Sequence, residues 1–272
     1  MTIAQYVATQ RLLSVAFHWT LRSAPCFLRR CDIPYDRNIR TACWNLHAPC
    51  GLVRITVLIQ RDGDSVVSDP SRLVSFICVP CFITARDIHV NIPTDKRWPG
   101  LQNRAITVSF CYGGTFTCLV FATELGFKGL AQPVPIDALN RATRMLKEVI
   151  NAEPLYRRYI THLEYDESST LYTVMMVEKV IGQKLGSSKG AETSLCFFSD
   201  QQVGRSPTES AITVRVAHSY ASGDLKVGQM WTYHVLVSNA THGVGEFVGT
   251  AVERVPELFN EKTRLYTDQS ES

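Results

Sequence analysis

Nine cysteines stand at positions 26, 31, 43, 50, 78, 81, 111, 118 and 196, among seven histidines. Residues of these types can hold a metal, form disulfides or attack a carbonyl, so their spacing decides first. Zinc needs four soft or borderline ligands in tetrahedral array. Cys78-Val79-Pro80-Cys81 is a C-x-x-C pair, with Cys43, His47 and Cys50 upstream. Cys43 and Cys50 are loosely spaced, the strand-like run Leu52 to Ile59 separates the two halves, and Cys78 closes an apolar run. The pattern favours core thiols, and no metal is expected. The odd count argues against a pure disulfide framework. Cys78, Cys111 and Cys118 sit in apolar runs where free cysteine behaves as a small hydrophobe, so reduced, buried thiols of an intracellular protein are expected.

Nucleophilic catalysis finds no elbow of the G-x-S-x-G type and no H-E-x-x-H. His89, His162, His218 and His234 are single residues on strand-like stretches. A Cys–His pair such as Cys196 with His218 stays open, because such pairs assemble in space and not in sequence. There is no G-x-x-x-x-G-K-[ST] cradle, and the glycines of Gly243 to Gly249 are wrongly spaced for a dinucleotide loop and read as turns. No cofactor is expected. Asn239-Ala240-Thr241 is a formal glycosylation sequon, read as unused.

Basic residues form three groups: Arg29, Arg30, Arg37 and Arg40; Arg141, Arg144 and Lys147; and Arg157 with Arg158. Converged, they would make a positive face for the phosphates of lipid or nucleic acid. Solvated surface charge is the competing reading. A formal charge of +3 over 272 residues is too small to mark a nucleic-acid binder by itself. A hydrophobic content of 45% with 19% charged residues suits a chain with a core and excludes disorder.

The elements that must position these residues are mostly strands. Leu52 to Ile59 alternates, Arg61 to Asp64 supplies a turn, and Leu73 to Val79 and Ile88 to Ile92 follow. Ala105 to Tyr112, Gly113-Gly114 and Thr115 to Ala122 form the clearest hairpin. After Pro135 the period becomes 3.6: Leu139, Ala142, Leu146, Val149 and Ile150 make one stripe, Asp137 is the expected N-cap, and Pro154 the stop. Leu171 to Val180, Ala211 to Ala217, Met230 to Ser238 and Gly245 to Val252 read as further strands, with Gly182–Ser194 and Ser199–Ser210 as mobile loops.

The fold expected is mainly β with a few helices: two β-sandwich-like antiparallel blocks joined by an amphipathic helix. The units are an N-terminal helix or arm at 1–39, a first β-rich block at 40–134, the connecting helix at 135–154, a second block at 155–259 and a polar tail at 260–272. Near the N-terminus, Leu13, Phe17 and Leu21 share a helix face, and the run Leu12 to Leu21 also imitates a signal peptide. A helix packed on its own domain, a surface-seeking helix and a signal peptide all fit. No stretch of 18 apolar residues occurs, so no spanning helix is expected.

Leu125-Gly126-Phe127-Lys128-Gly129-Leu130, Pro133, Ile136-Asp137 and Leu139-Asn140-Arg141 resemble a strand–turn–helix segment of paramyxovirus matrix proteins. The resemblance implies a self-assembling, membrane-associated shell protein of a negative-strand RNA virus. With no catalytic motif found, the functional expectation is a non-enzymatic viral matrix-type structural protein. It would self-associate as a homo-oligomer, contact acidic lipid through the basic residues above, and meet nucleocapsid or RNA. It would reside in host cytoplasm, at the inner membrane face and in the virion. The alternative rests on Val53 to Asp62, which is similar to a strand of plant-virus movement proteins of the 30K type and implies single-stranded nucleic-acid binding.

Overall fold

The computed structural model describes residues 3–11, 35–36, 38, 40–48, 51–63, 65–69, 73–101, 104–131, 133–162, 169–179, 181–204, 209–240 and 246–255. In chain order the strands are β1 (Ile3–Arg11), β2 (Tyr35–Asp36), β3 (Thr41–Ala48), β4 (Gly51–Asp62), β5 (Ser65–Ser68), β6 (Leu73–Ile77), β7 (Cys81–Asn91), β8 (Ala105–Tyr112) and β9 (Phe116–Phe121). Helices α1 (Ile136–Ala152) and α2 (Pro154–Arg157) come next. Then follow β10 (Leu171–Lys179), β11 (Ala191–Phe198), β12 (Gln202–Val203), α3 (Glu209–Ala221), β13 (Met230–Val235), α4 (Leu236–Ala240) and β14 (Phe247–Val255). The fold is mainly β with a few helices.

All strands belong to one 14-stranded sheet. The order β14-β13-β11-β10-β9-β8-β7-β1 closes on itself, because β1 pairs β14 along one edge and β7 through Ile3 and Ala4 on the other. From β1 the sheet also continues through β6, β4, β3 and β2. The expectation of two antiparallel sandwich-like blocks is corrected here. Strands from both halves of the sequence join through the parallel pair β9–β10, and β11–β13 is also parallel. The physical reason is that this stretch of sheet is covered on both faces, which is the condition under which parallel pairs occur.

The two covers are α1 and α3. Ile106, Val108 and Phe110 of β8, Val120 of β9 and Met176 of β10 pack with Leu139, Ala142, Leu146 and Ile150 of α1. The alternate residues, Cys111, Leu119, Met175 and Cys196, pack with Ala211 and Val214 of α3. A third cluster places Ile212 and Val216 of α3 against Phe76, Tyr233 and Phe247. α3 meets β1, β7, β8 and β14 and so lies inside the ring. Every residue from Ala211 to Ala217 is buried.

Ala211 to Ala217 was expected as a strand, and it is the centre of a helix. Its backbone groups are enclosed and must be satisfied. A strand would need neighbours to pair with, and the ring strands are already paired, so a helix, which bonds to itself, is the solution. Further differences are local. The N-terminal 3–11 is a strand, not a helix, while the amphipathic run from Leu12 to Leu21 lies outside the described residues. Pro135 occupies the N-cap of α1, and Asp137 sits in the first turn without capping. There its carboxylate still favours the helix N-terminus by charge. The two stretches expected as mobile loops contain the start of β11, all of β12 and the first two described residues of α3.

Candidate functional site

Polar residues tie α3 to the ring. Arg215 donates from Nε to Glu192 Oε1 at 2.6 Å and from Nη2 to Glu192 Oε2 at 2.7 Å, and both side chains are almost wholly buried. Burial works against the Arg215 charge, and the Glu192 carboxylate more than offsets it, holding the guanidinium above its ordinary pKa. Arg215 Nη1 also donates to His218 Nδ1 at 3.2 Å. A guanidinium can only donate, so Nδ1 is the acceptor and the Nε2–H donates to Ser109 Oγ at 3.3 Å. Burial, then the charge of Arg215, pushes the His218 pKa down to about 3. At the far end Arg86 Nη1 donates to the Ala221 carbonyl, a cation at a helix C-terminus.

The opposite end of α3 is where a ligand can be met. The first four N–H groups of a helix have no partner within it and favour an anion. The described part of α3 starts at Glu209, under the β8–β9 turn. Gly113 in that turn packs so closely that a Cβ would stand 2.8 Å from Val214 and 2.9 Å from the Ser210 carbonyl. Thr117 pairs with Cys111 close below the turn. Its neighbours Phe116 and Cys118 face α1 while Leu119 faces α3, so by strand alternation Thr117 lies on the α3 side. Its hydroxyl is fully buried with no hydrogen-bond partner, as is the hydroxyl oxygen of Thr115. Ser210, Gly114 and Thr115 are half-buried, so this end reaches the surface. The arrangement sets two partnerless buried hydroxyls beside the described start of α3.

It offers no base among the described residues nearby. Burial pushes the Cys111 thiol up to about 12, with Arg215 opposing. Burial and the Glu192 carboxylate push the Tyr233 phenol well up. The pairing of Cys196 with His218 is not found as a catalytic couple: both nitrogens of His218 are engaged by Arg215 and Ser109. None of the described cysteines forms a disulfide. Cys43 is exposed and bonds Thr56, while Cys78 and Cys81 are buried. The side-chain amide of Asn239, the sequon residue, donates to Thr193 Oγ1.

The sequence-derived basic residues fall elsewhere. Arg29, Arg30 and Arg37 lie outside the described residues. Arg40 is exposed ahead of β3, at a left-handed φ of 51°. Arg141 and Arg144 are exposed on α1, whereas Lys147 donates to the carbonyls of Tyr172 and Ser199 at 2.9 and 2.7 Å. Arg157 is exposed beyond α1, and Arg158 lies over the ring of Tyr159. Sequence reasoning missed Thr117, Ser210 and the α3 start, because α3 itself was taken as a strand. The signals available were Pro207 ahead of a run free of Gly and Pro, and Gly223 beyond its end.

A helix threaded through a closed ring of mixed β pairs is also the architecture to which solved structures are similar. The hydroxyproline epimerase of Agrobacterium vitis, solved with bound trans-4-hydroxy-L-proline, superposes with a TM-score of 0.61 at 19% identity, over 85% of this chain and 63% of that one. At that identity the likeness shows the fold. The family model for proline racemase matches residues 33–253. This chain belongs to the proline racemase family. The human trans-3-hydroxy-L-proline dehydratase is 33% identical over 216 residues, 78% of this chain and 52% of that protein. The proline racemase of Clostridioides difficile is 26% identical over 199 residues, 73% of this chain and 51% of the other. The chain therefore spans about half the length of these relatives.

The family match overturns the viral matrix assignment, the movement-protein alternative and the non-enzymatic reading. The partners read from them, a self-assembled shell on acidic lipid with nucleocapsid or RNA, and the virion and membrane location, fall with them. The matrix resemblance rested on residues 125–141. Here they serve the core: Leu125 and Leu130 are buried, Trp98 Nε1 donates to the Leu125 carbonyl at 2.9 Å, and the Glu178 carboxylate accepts from the Leu130 amide.

Proposed function

We propose that this chain carries one side of an amino-acid site in which the α3 start receives the carboxylate of a hydroxyproline-type substrate, and that the reaction served is dehydration of trans-3-hydroxy-L-proline. The observation that carries the reading is the described start of α3, packed under Gly113, with the partnerless buried hydroxyl of Thr117 on the same side of the sheet. The likeness to the human dehydratase supports the choice of reaction.

The chemistry suits such a site. Loss of the Cα proton places negative charge on the carboxylate, and preorganised amides stabilise charge as it develops. The 3-hydroxyl takes up a proton and leaves as water, and the resulting enamine tautomerises to a cyclic imine. The buried network of Glu192, Arg215, His218 and Ser109 positions α3. The described residues bind and orient, and the proton-transferring groups are sought outside them.

The test is incubation of the chain in deuterated water with trans-3-hydroxy-L-proline or with L-proline. The reading expects imine from the first and no change in the second. Deuterium at Cα of L-proline would favour racemisation, the reaction in the name of the Clostridioides difficile relative. Neither turnover nor binding of either compound would overturn both.

A further inference from the structure

The far end of α3 hangs on a distorted stretch of β7. Ala85 pairs with Phe110 and Ile88 with Val108, so Arg86 and Asp87 together stand opposite the single residue Ser109 of β8, which makes a bulge. Asp87 holds a left-handed φ of 54°, which non-glycine residues adopt at a cost. Both bulge residues are used. Arg86 Nη1 donates to the Ala221 carbonyl at 3.2 Å, and the Asp87 amide donates to Ser109 Oγ at 3.4 Å. The same hydroxyl oxygen accepts from His218 Nε2 at 3.3 Å, and the His218 carbonyl accepts the Ser222 amide at 2.9 Å. One hydroxyl and one imidazole therefore join the strained bulge to the last turn of α3.

His218 fits this place only while neutral. Its Nδ1 faces Arg215 Nη1 at 3.2 Å, and a guanidinium has only donors. A proton on Nδ1 would set donor against donor and cation against cation. Arg215 has no room to yield, because its Nε and Nη2 are held by Glu192 at 2.6 and 2.7 Å. The charged groups facing the imidazole from the other packed elements are Arg86 of β7, Lys179 of β10 and Asp224 beyond the helix end. Asp224 is the one acid in that set, and it already pairs with Lys179 at 3.2 Å. His218 is only partly buried, so protons from solvent have access to it.

We propose that His218 is an acid-released latch: protonation expels the imidazole from between Arg215 and Ser109, frees the Asp87 bulge and opens the last turn of α3 while the sheet stays folded. The inner pair Glu192–Arg215 keeps the rest of the helix in place. The device is independent of the ligand reading at the α3 start. In the open form the imidazole titrates near its ordinary 6.5, whereas in the closed form burial, then Arg215, hold it down to about 3. Across that window the open population rises about tenfold for each unit by which pH falls, because the open form takes a proton that the closed form refuses.

The experiment is amide hydrogen exchange of the full chain, followed by NMR from about pH 6.5 to about pH 3.5. The expected result is that protection at Asp87, Ser222 and Gly223 falls about tenfold per pH unit, while protection at Cys118 and Val174 in the paired strands falls more slowly. His218→Gln keeps an acceptor and a donor without a titrating group, so it should abolish the steep fall at the three latch amides. Should that variant not fold, Ser109→Ala reports instead, with the Asp87 amide expected to be unprotected already at about pH 6.5. Latch and strand amides losing protection in parallel would mean global unfolding and would overturn the proposal. So would the same acid dependence in His218→Gln, or a protected Asp87 amide in Ser109→Ala.

Discussion

Glu192 and Arg215 are the pair on which the placement of α3 turns. Removing one partner leaves a buried charge unpaired, which costs about 3–5 kcal/mol. Glu192→Gln should therefore lower the unfolding free energy by about that amount in urea titration. Replacing both residues by Met should recover much of the loss, because the desolvation penalty disappears with the charges. His218 supplies a pH signature. Its folded pKa, about 3, lies below the ordinary 6.5, so the folded state resists the proton that the unfolded chain accepts. Its contribution is complete above pH 6.5 and is lost as pH falls from there toward 3. Thermal melts across that window should show a steeper decline for the parent chain than for His218→Asn. Equal slopes would remove His218 from the network. At this scale the sequence was partly readable: Cys78, Cys111 and Cys118 are buried as small hydrophobes, as their apolar runs imply. The partners of His218 were not readable, since Arg215 is three residues away while Ser109 is 109 residues away.

Among the elements, α3 and the turn above it determine the site. Gly113 is needed for close approach, because an added methyl meets the Ser210 carbonyl and Val214. Gly113→Ala should cost about 1–3 kcal/mol by overpacking and should displace the first turn of α3. The expected outcome is a lower melting temperature together with weaker binding of trans-3-hydroxy-L-proline, measured by calorimetry. Unchanged affinity in a folded variant would detach the turn from the site. The hairpin Ala105 to Ala122 and helix α1 were legible because each has a clear period, alternation in β8 and the Leu139–Leu146–Ile150 stripe in α1. α3 was illegible for the opposite reason. A helix buried all round carries no amphipathic stripe, and its Ile212, Thr213, Val214 and Val216 are β-branched. The residues with high strand preference were placed in a helix by enclosure, a tertiary effect that local preference does not register.

For the whole molecule, ring closure is the fact that gives the site its form. β1 from the start of the chain pairs β14 from the end of the described residues, so the wall around α3 is completed only when distant segments meet. Nothing in composition or periodicity encodes that closure, and two separate blocks were the simpler reading of the same strands. Once closed, the ring sets the described start of α3 beside the partnerless hydroxyls of Thr115 and Thr117. The most direct test is amide NMR of the chain titrated with trans-3-hydroxy-L-proline. Saturable shifts at Ser210, Ala211 and Ile212, together with Gly113 through Thr117, are the predicted result. Binding that leaves these amides unmoved, or no binding at all, would contradict the assignment of the α3 start as the carboxylate site.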